Sequence, residues 1–126
     1  MINAFQNINE NITLVRGDTL AFGLELYLAD EENEESQTLL DQDLDSCYFS
    51  VSKDYDNTLN VFQKSLGDGI EKVSQGKYRV RIAPEDTAEL EVGVYYYDCE
   101  IGINDDTFTI LRGSFNIVWD IPRQGG

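Results

Sequence analysis

Apolar and polar residues alternate along most of this chain with a period of two, the spacing of strands that bury one face. The clearest run spans residues 94–103. Tyr95, Tyr97, Cys99, Ile101 and Ile103 fall on one side, and Tyr96, Asp98 and Glu100 on the other. Leu20, Phe22, Leu24, Leu26 and Leu28 alternate with Ala21, Gly23, Glu25, Tyr27 and Ala29. Cys47, Phe49 and Val51 alternate with Tyr48, Ser50 and Ser52, and Tyr78, Val80 and Ile82 with Lys77, Arg79 and Arg81. Shorter strand candidates occupy residues 12–15, 61–66, 70–73 and 107–111. A last run through Phe115, Ile117, Trp119 and Ile121 ends at Pro122, which cannot donate to a ladder.

Turn residues separate these runs: Arg16-Gly17-Asp18, Asp54 to Asn57, Gly67-Asp68-Gly69 and Asn104-Asp105-Asp106. Gly23, on the outer side of its run, predicts a bulge or a close neighbour. Pro84 to Thr87 reads as one helical turn that Asp86 or Thr87 can cap. Leu90, Gly93 and Tyr95 are spaced as in the corner that enters strand F of immunoglobulin-like domains, which makes Tyr95 the candidate tyrosine-corner hydroxyl. The predicted fold is all-β with very little helix, an immunoglobulin-like antiparallel β-sandwich of seven or eight strands. A small barrel is the alternative. One domain covers residues 1–126, with residues 1–11 as an extended N-terminal arm and 30–45 as an acidic loop.

Charge narrows the functions open to such a fold. The 126 residues hold 24 acidic and 9 basic side chains, a formal net charge of -15. Nucleic acid is not an expected partner, because phosphate contacts need a basic footprint. The same charge argues against an anionic membrane surface as partner. No apolar run reaches the length of a membrane span, and the first residues lack the basic start and apolar core of a signal peptide. Lys77, Arg79 and Arg81 share one outer strand face, and the expectation is that they pair across strands with Asp98 and Glu100.

Catalytic chemistry finds little to work with. There is no histidine, so neither a Ser-His nor a Cys-His nucleophile can form. No GxxxxGK[ST] phosphate loop is present. Asp41-Gln42-Asp43-Leu44-Asp45 begins like a calcium loop, but Ser46 stands where Gly is needed and Ser52 where Glu is needed. No catalytic, cofactor or metal residue is assigned, and an enzyme is not expected. Arg16-Gly17-Asp18 matches the integrin tripeptide, but a tight turn between two strands is the favoured reading. Tyr97 precedes Cys99 by two residues, as in an immunoglobulin strand F. Cys47 sits on a later strand than the usual partner, so two buried free thiols are expected over a disulfide.

Parity leaves Tyr27, Tyr48 and Tyr96 exposed, and exposed tyrosines often anchor protein interfaces. Val61 and Phe62, on an expected edge strand, are the other interface candidates, since an open edge can add to a neighbouring sheet. The arm at residues 1–8 is a second candidate for such addition.

Several segments, in order, resemble a known group. Leu14-Val15-Arg16-Gly17-Asp18-Thr19 opens an alternating strand, and Phe62-Gln63-Lys64-Ser65-Leu66 runs into Gly67-Asp68-Gly69-Ile70. Gly76-Lys77-Tyr78 leads to Ile82-Ala83-Pro84-Glu85-Asp86-Thr87, Leu90 and Gly93-Val94-Tyr95-Tyr96-Tyr97-Asp98. Ile110-Leu111-Arg112-Gly113 precedes the last strand. Over residues 14–121 this order resembles small structural proteins of tailed bacteriophages and prophages, similar to the immunoglobulin-like N-terminal domains of baseplate upper proteins. The resemblance implies a non-enzymatic virion component, a capsid decoration, neck or baseplate piece made in the host cytoplasm. Its partners would be other phage structural proteins, in a symmetric assembly. With no second domain or fibre tail expected beyond residue 126, a compact piece is expected over a tail fibre. Two other classes fit the composition. An acidic inhibitor imitating nucleic acid needs paired carboxylate rows on a rigid surface. A carbohydrate-binding sandwich needs a cleft lined by Tyr27, Tyr48 and Tyr96.

Overall fold

In the computed structural model, residues 2–6, 11–29, 37–54 and 59–119 are described. They form ten strands: β1 (Ile2–Gln6), β2 (Ile12–Val15), β3 (Leu20–Ala29), β4 (Gln37–Leu39), β5 (Ser46–Ser52), β6 (Asn60–Leu66), β7 (Gly69–Ser74), β8 (Lys77–Ile82), β9 (Gly93–Ile103) and β10 (Asp106–Val118). The one helical turn, α1 (Pro84–Thr87), lies between β8 and β9. The protein is all-β with very little helix. The segments with clean alternation are the long strands, because each must present an unbroken apolar side to one core.

The ladder runs β1-β3-β8-β7-β6-β5-β9-β10-β2, with β4 added to β3. It is continuous and curls nearly into a barrel, its ends meeting where β1 approaches β10. One join is thin. β6 meets β7 only through Ser65↔Gly69 and Leu66↔Ile70. The sheet therefore folds into two halves, β1-β3-β8-β7 with β4, and β6-β5-β9-β10-β2. Phe22 from the first half meets Phe49 from the second edge-on, ring centroids 5.5 Å apart. Phe49 also stacks on Tyr97 at 5.2 Å and meets Phe115 edge-on at 6.5 Å. Leu24, Leu26, Val80, Ile82, Cys99 and Ile101 complete the centre of this core.

Several expectations change. Most pairings are antiparallel, but β2 runs parallel to β10, and the short β6–β7 join is also parallel. The two C-terminal runs are a single strand that continues through Gly113, opposite Tyr97. Residues 2–6 of the expected arm are strand β1, paired with β3 from Ile2↔Leu28 to Gln6↔Leu24. The acidic loop is tied down over its second part. Residues 37–39 form β4, the Leu40 N–H donates to Leu26 O at 2.9 Å, and Leu40 and Leu44 are buried. Residues 30–36 lie outside the described residues. Gly23 is neither bulged nor crowded: it sits in regular register with Arg79, and the nearest atom to an added Cβ is 3.9 Å away. Lys77, Arg79 and Arg81 do not face Asp98 and Glu100, because β8 lies between β3 and β7 while β9 lies between β5 and β10. Lys77 instead reaches Glu25 at 3.8 Å and Arg79 reaches Glu71 at 3.3 Å.

Candidate interaction surface

The candidate residues fall in three places. Tyr48 and Tyr96 share the outer face of β5 and β9, but Tyr48 is opposite Glu100 and Ser52 is opposite Tyr96, so the rings stand four positions apart. Tyr48 is exposed and Tyr96 half-buried. Tyr96 lines a depression of about 300 Å³ with Ser52, Asp98, Arg112 and Ser114. Arg112 is opposite Asp98 and Ser114 opposite Tyr96, so register alone builds this wall.

Tyr27 is on β3, in the other half of the sheet, and its hydroxyl donates to Glu25 Oε2 at 2.6 Å. That hydrogen bond, with smaller effects from desolvation and the Glu25 charge, holds its phenol above the usual tyrosine range. The three tyrosines therefore do not line one cleft. Val61 and Phe62 are half-buried on β6 and pack against the core, with the Phe62 ring edge-on to Phe115 at 5.7 Å. What β6 offers a partner is backbone, together with Gln63, whose amide donates to Ser50 Oγ at 2.9 Å on the outer face.

Short sequence motifs are used by the fold. Tyr95 is buried, and its hydroxyl donates to Glu91 O at 2.8 Å, four residues upstream, the bond of a tyrosine corner. In Arg16-Gly17-Asp18, the Asp18 N–H closes the turn on Val15 O at 3.0 Å, and Gly17 has a φ of 83°. The Gly17 N–H donates to the buried Thr87 hydroxyl at 2.8 Å. Arg16 lies over the Trp119 ring, 4.5 Å from its centroid. Asp43 is engaged by Lys72, and Asp45 accepts from the Asn104 N–H at 2.9 Å. Among the described residues no group of three Cys, Asp or Glu side chains could hold a metal ion, and no helix is long and apolar enough to cross a membrane.

Cys47 and Cys99 are free, buried and 4.0 Å apart. They lie diagonally on adjacent strands, since Cys47 is opposite Ile101 and Phe49 opposite Cys99. Hydrogen bonding to Cys47, then burial, then the nearby charges of Cys47, Asp98 and Glu100 hold the Cys99 thiol well above its ordinary range. A thiol held in its protonated form is a poor nucleophile.

The side where β6 parts from β7 was not foreseen. Lys64 points into it with a side chain only 12% exposed, and its Nζ lies 2.6 Å from Asp86 Oδ2 on α1. Asp86 also accepts from the Ala83 N–H at 2.7 Å, closing half a capping box. Lys64, Arg79 and Arg81 line a charged cavity of about 250 Å³ there, together with Asp68, Glu71 and Glu85. The available signal was parity: Phe62, Lys64 and Leu66 share the core-facing side of β6, where a lysine is out of place unless it protects an edge. The sequence matches no family model and no curated protein, so the functional reading rests on this geometry and on the order of strands and turns.

Proposed function

We propose that the chain is a non-enzymatic structural component of a tailed-phage particle, a capsid decoration, neck or baseplate piece that works through contacts with other phage proteins. The strand and turn order over residues 14–121 supports the assignment to that group by resemblance. The observation that carries a contact role is the outer edge of β6. From Asn60 to Gln63 it has no ladder partner among the described residues, and Tyr48 is exposed on the adjoining β5. An open edge is a template for strand addition, and Tyr48 stands just past its end, opposite Ser65. The N-terminal segment supports this less than its sequence suggests, since residues 2–6 already pair with β3 in the same chain.

Quantitative mass spectrometry on purified particles from the source host tests the role. The expected result is the peptide in particles at a fixed ratio to the major capsid protein. A ratio near one indicates shell decoration, and a small ratio indicates neck or baseplate. Abundance in infected cells with absence from particles sinks the virion role and turns attention to the acidic-inhibitor class.

A further inference from the structure

The parted side of the sheet combines two features that no other part of the described surface joins. The first is the outer backbone edge of β6 from Asn60 to Gln63, which has no ladder partner among the described residues. The second is an unmatched cation on β8, Arg81, in the cavity that Lys64 of β6 also lines. Cations are scarce on this chain, and nearly all have partners. Lys53 reaches Glu91, Lys64 reaches Asp86, Lys72 reaches Asp43, Lys77 reaches Glu25 and Arg79 reaches Glu71. Arg16 lies over Trp119, and Arg112 is also engaged. Among the described lysines and arginines, the side chain of Arg81 alone has no hydrogen bond, ion pair or ring contact, and it lines the cavity that Lys64 enters from β6.

We propose that β6 receives an extended segment of a partner protein as an added strand, and that a single carboxylate of that otherwise uncharged segment seats on Arg81. The inference deepens the contact role proposed above and rests on it. Backbone pairing supplies affinity without sequence preference, and a planar guanidinium that can grip a carboxylate with two bonds sets register and charge preference. The rim decides the class of partner. Asp68, Glu71 and Glu85 border the same cavity, and Lys64 and Arg79, which also line it, are already paired with Asp86 and Glu71, so a polyanion such as nucleic acid meets carboxylates around Arg81. A single carboxylate carried by a strand does not. The strand must stop before Ser65, where β7 takes over the edge.

The test is a nuclear magnetic resonance titration of the full chain. The probe is an acetylated, amidated octapeptide of valine and threonine with one central glutamate, compared with its glutamine counterpart. The expected shifts fall on the amides of residues 60–64 and on the Arg81 guanidinium. Arg81→Gln should weaken the glutamate peptide about tenfold while leaving the glutamine peptide unchanged, and Arg81→Lys should restore part of the loss. Equal affinity in R81Q, shifts confined to other strands, or no binding at millimolar peptide overturns the proposal. So does a single-stranded oligonucleotide that displaces the peptide at equal concentration, which would mark a general anion site. Particle composition is a separate readout. Presence in particles without peptide binding removes this site alone, and peptide binding with absence from particles removes the virion role alone.

Discussion

Lys64 Nζ lies 2.6 Å from Asp86 Oδ2 and ties edge strand β6 to the helical turn α1, across the one side where the ladder is nearly interrupted. Both side chains are largely withdrawn from water, 12% and 14% exposed. Removing one partner leaves the other charge in a poorly solvated place. Lys64→Met and Asp86→Ala should each cost about 2–3 kcal/mol, between the small worth of an exposed pair and the larger cost of breaking a fully buried one. Asp86→Ala should be the worse, since it also strands the Ala83 N–H. Urea unfolding of both variants and the double variant checks this. Strictly additive losses would show that the two groups do not act as a pair.

Gly69 makes that crossing possible. Its φ is 96°, and an added Cβ would sit 2.5 Å from Lys64 Cδ and 3.2 Å from Lys64 Cβ. The lysine tip can swing away, but its Cβ is fixed by β6. Gly69→Ala therefore combines roughly 1–2 kcal/mol of left-handed backbone strain with displacement of the lysine stem. The expected result is a loss of more than about 1 kcal/mol that shrinks in a Lys64→Ala background. An undiminished loss there would assign it to the backbone alone.

The long strands were legible because burial of one face forces alternation, and residues 20–28, 47–51, 77–82 and 94–103 obey it. Parity tells which way a side chain points but not which strand lies beside it. That is why Lys77, Arg79 and Arg81 were matched with the wrong carboxylates. β1 and β4 were missed for a different reason. Asn3 and Gln6 dilute any apolar pattern in β1, and three residues of β4 are too few to show a period. Lys64 and Arg81 sit on strands that the pattern located, but the cavity they share lies where β6 parts from β7, which only the three-dimensional pairing creates.

Thr87 fixes the far side of α1. It is fully buried, and its hydroxyl is the acceptor for the Gly17 N–H in the turn between β2 and β3. Thr87→Val keeps the shape and removes the acceptor, leaving a backbone donor unsatisfied at a cost of about 1–3 kcal/mol. Thr87→Ser keeps the acceptor and should lose less. Thermal unfolding of the two variants separates them, and equal losses would place the cost in packing rather than in the hydrogen bond.

The Cys99 thiol gives a pH signature. Hydrogen bonding to Cys47 and burial hold it protonated in the fold, while in the unfolded chain it ionises near its ordinary value of 9.0. Above that pH the unfolded state binds fewer protons, so stability present at neutral pH is lost as pH rises, at up to about 1.4 kcal/mol per pH unit. Cys99→Ala should be less stable at pH 7.5 because of the cavity it leaves, and that deficit should narrow by about 1 kcal/mol or more by pH 10. A deficit that stays constant across this range would mean that the thiol ionises alike in both states.

Deleting residues 1–6 removes β1 and uncovers the edge of β3 from Leu24 to Leu28. That edge is long and regular, and Leu24 and Leu26 are among the most buried side chains of the core. A bare edge of this kind pairs with whatever strand it meets. The truncated chain should remain folded, because β3 keeps its pairing with β8. It should unfold at lower urea than the full chain and form dimers or larger species at concentrations where the full chain is monomeric. Sedimentation of the two forms at matched concentration is the measurement. A truncated chain that stays monomeric and equally stable would show that β1 adds little to the sheet in solution, and would return residues 1–8 to the role of an arm available to a neighbouring protein.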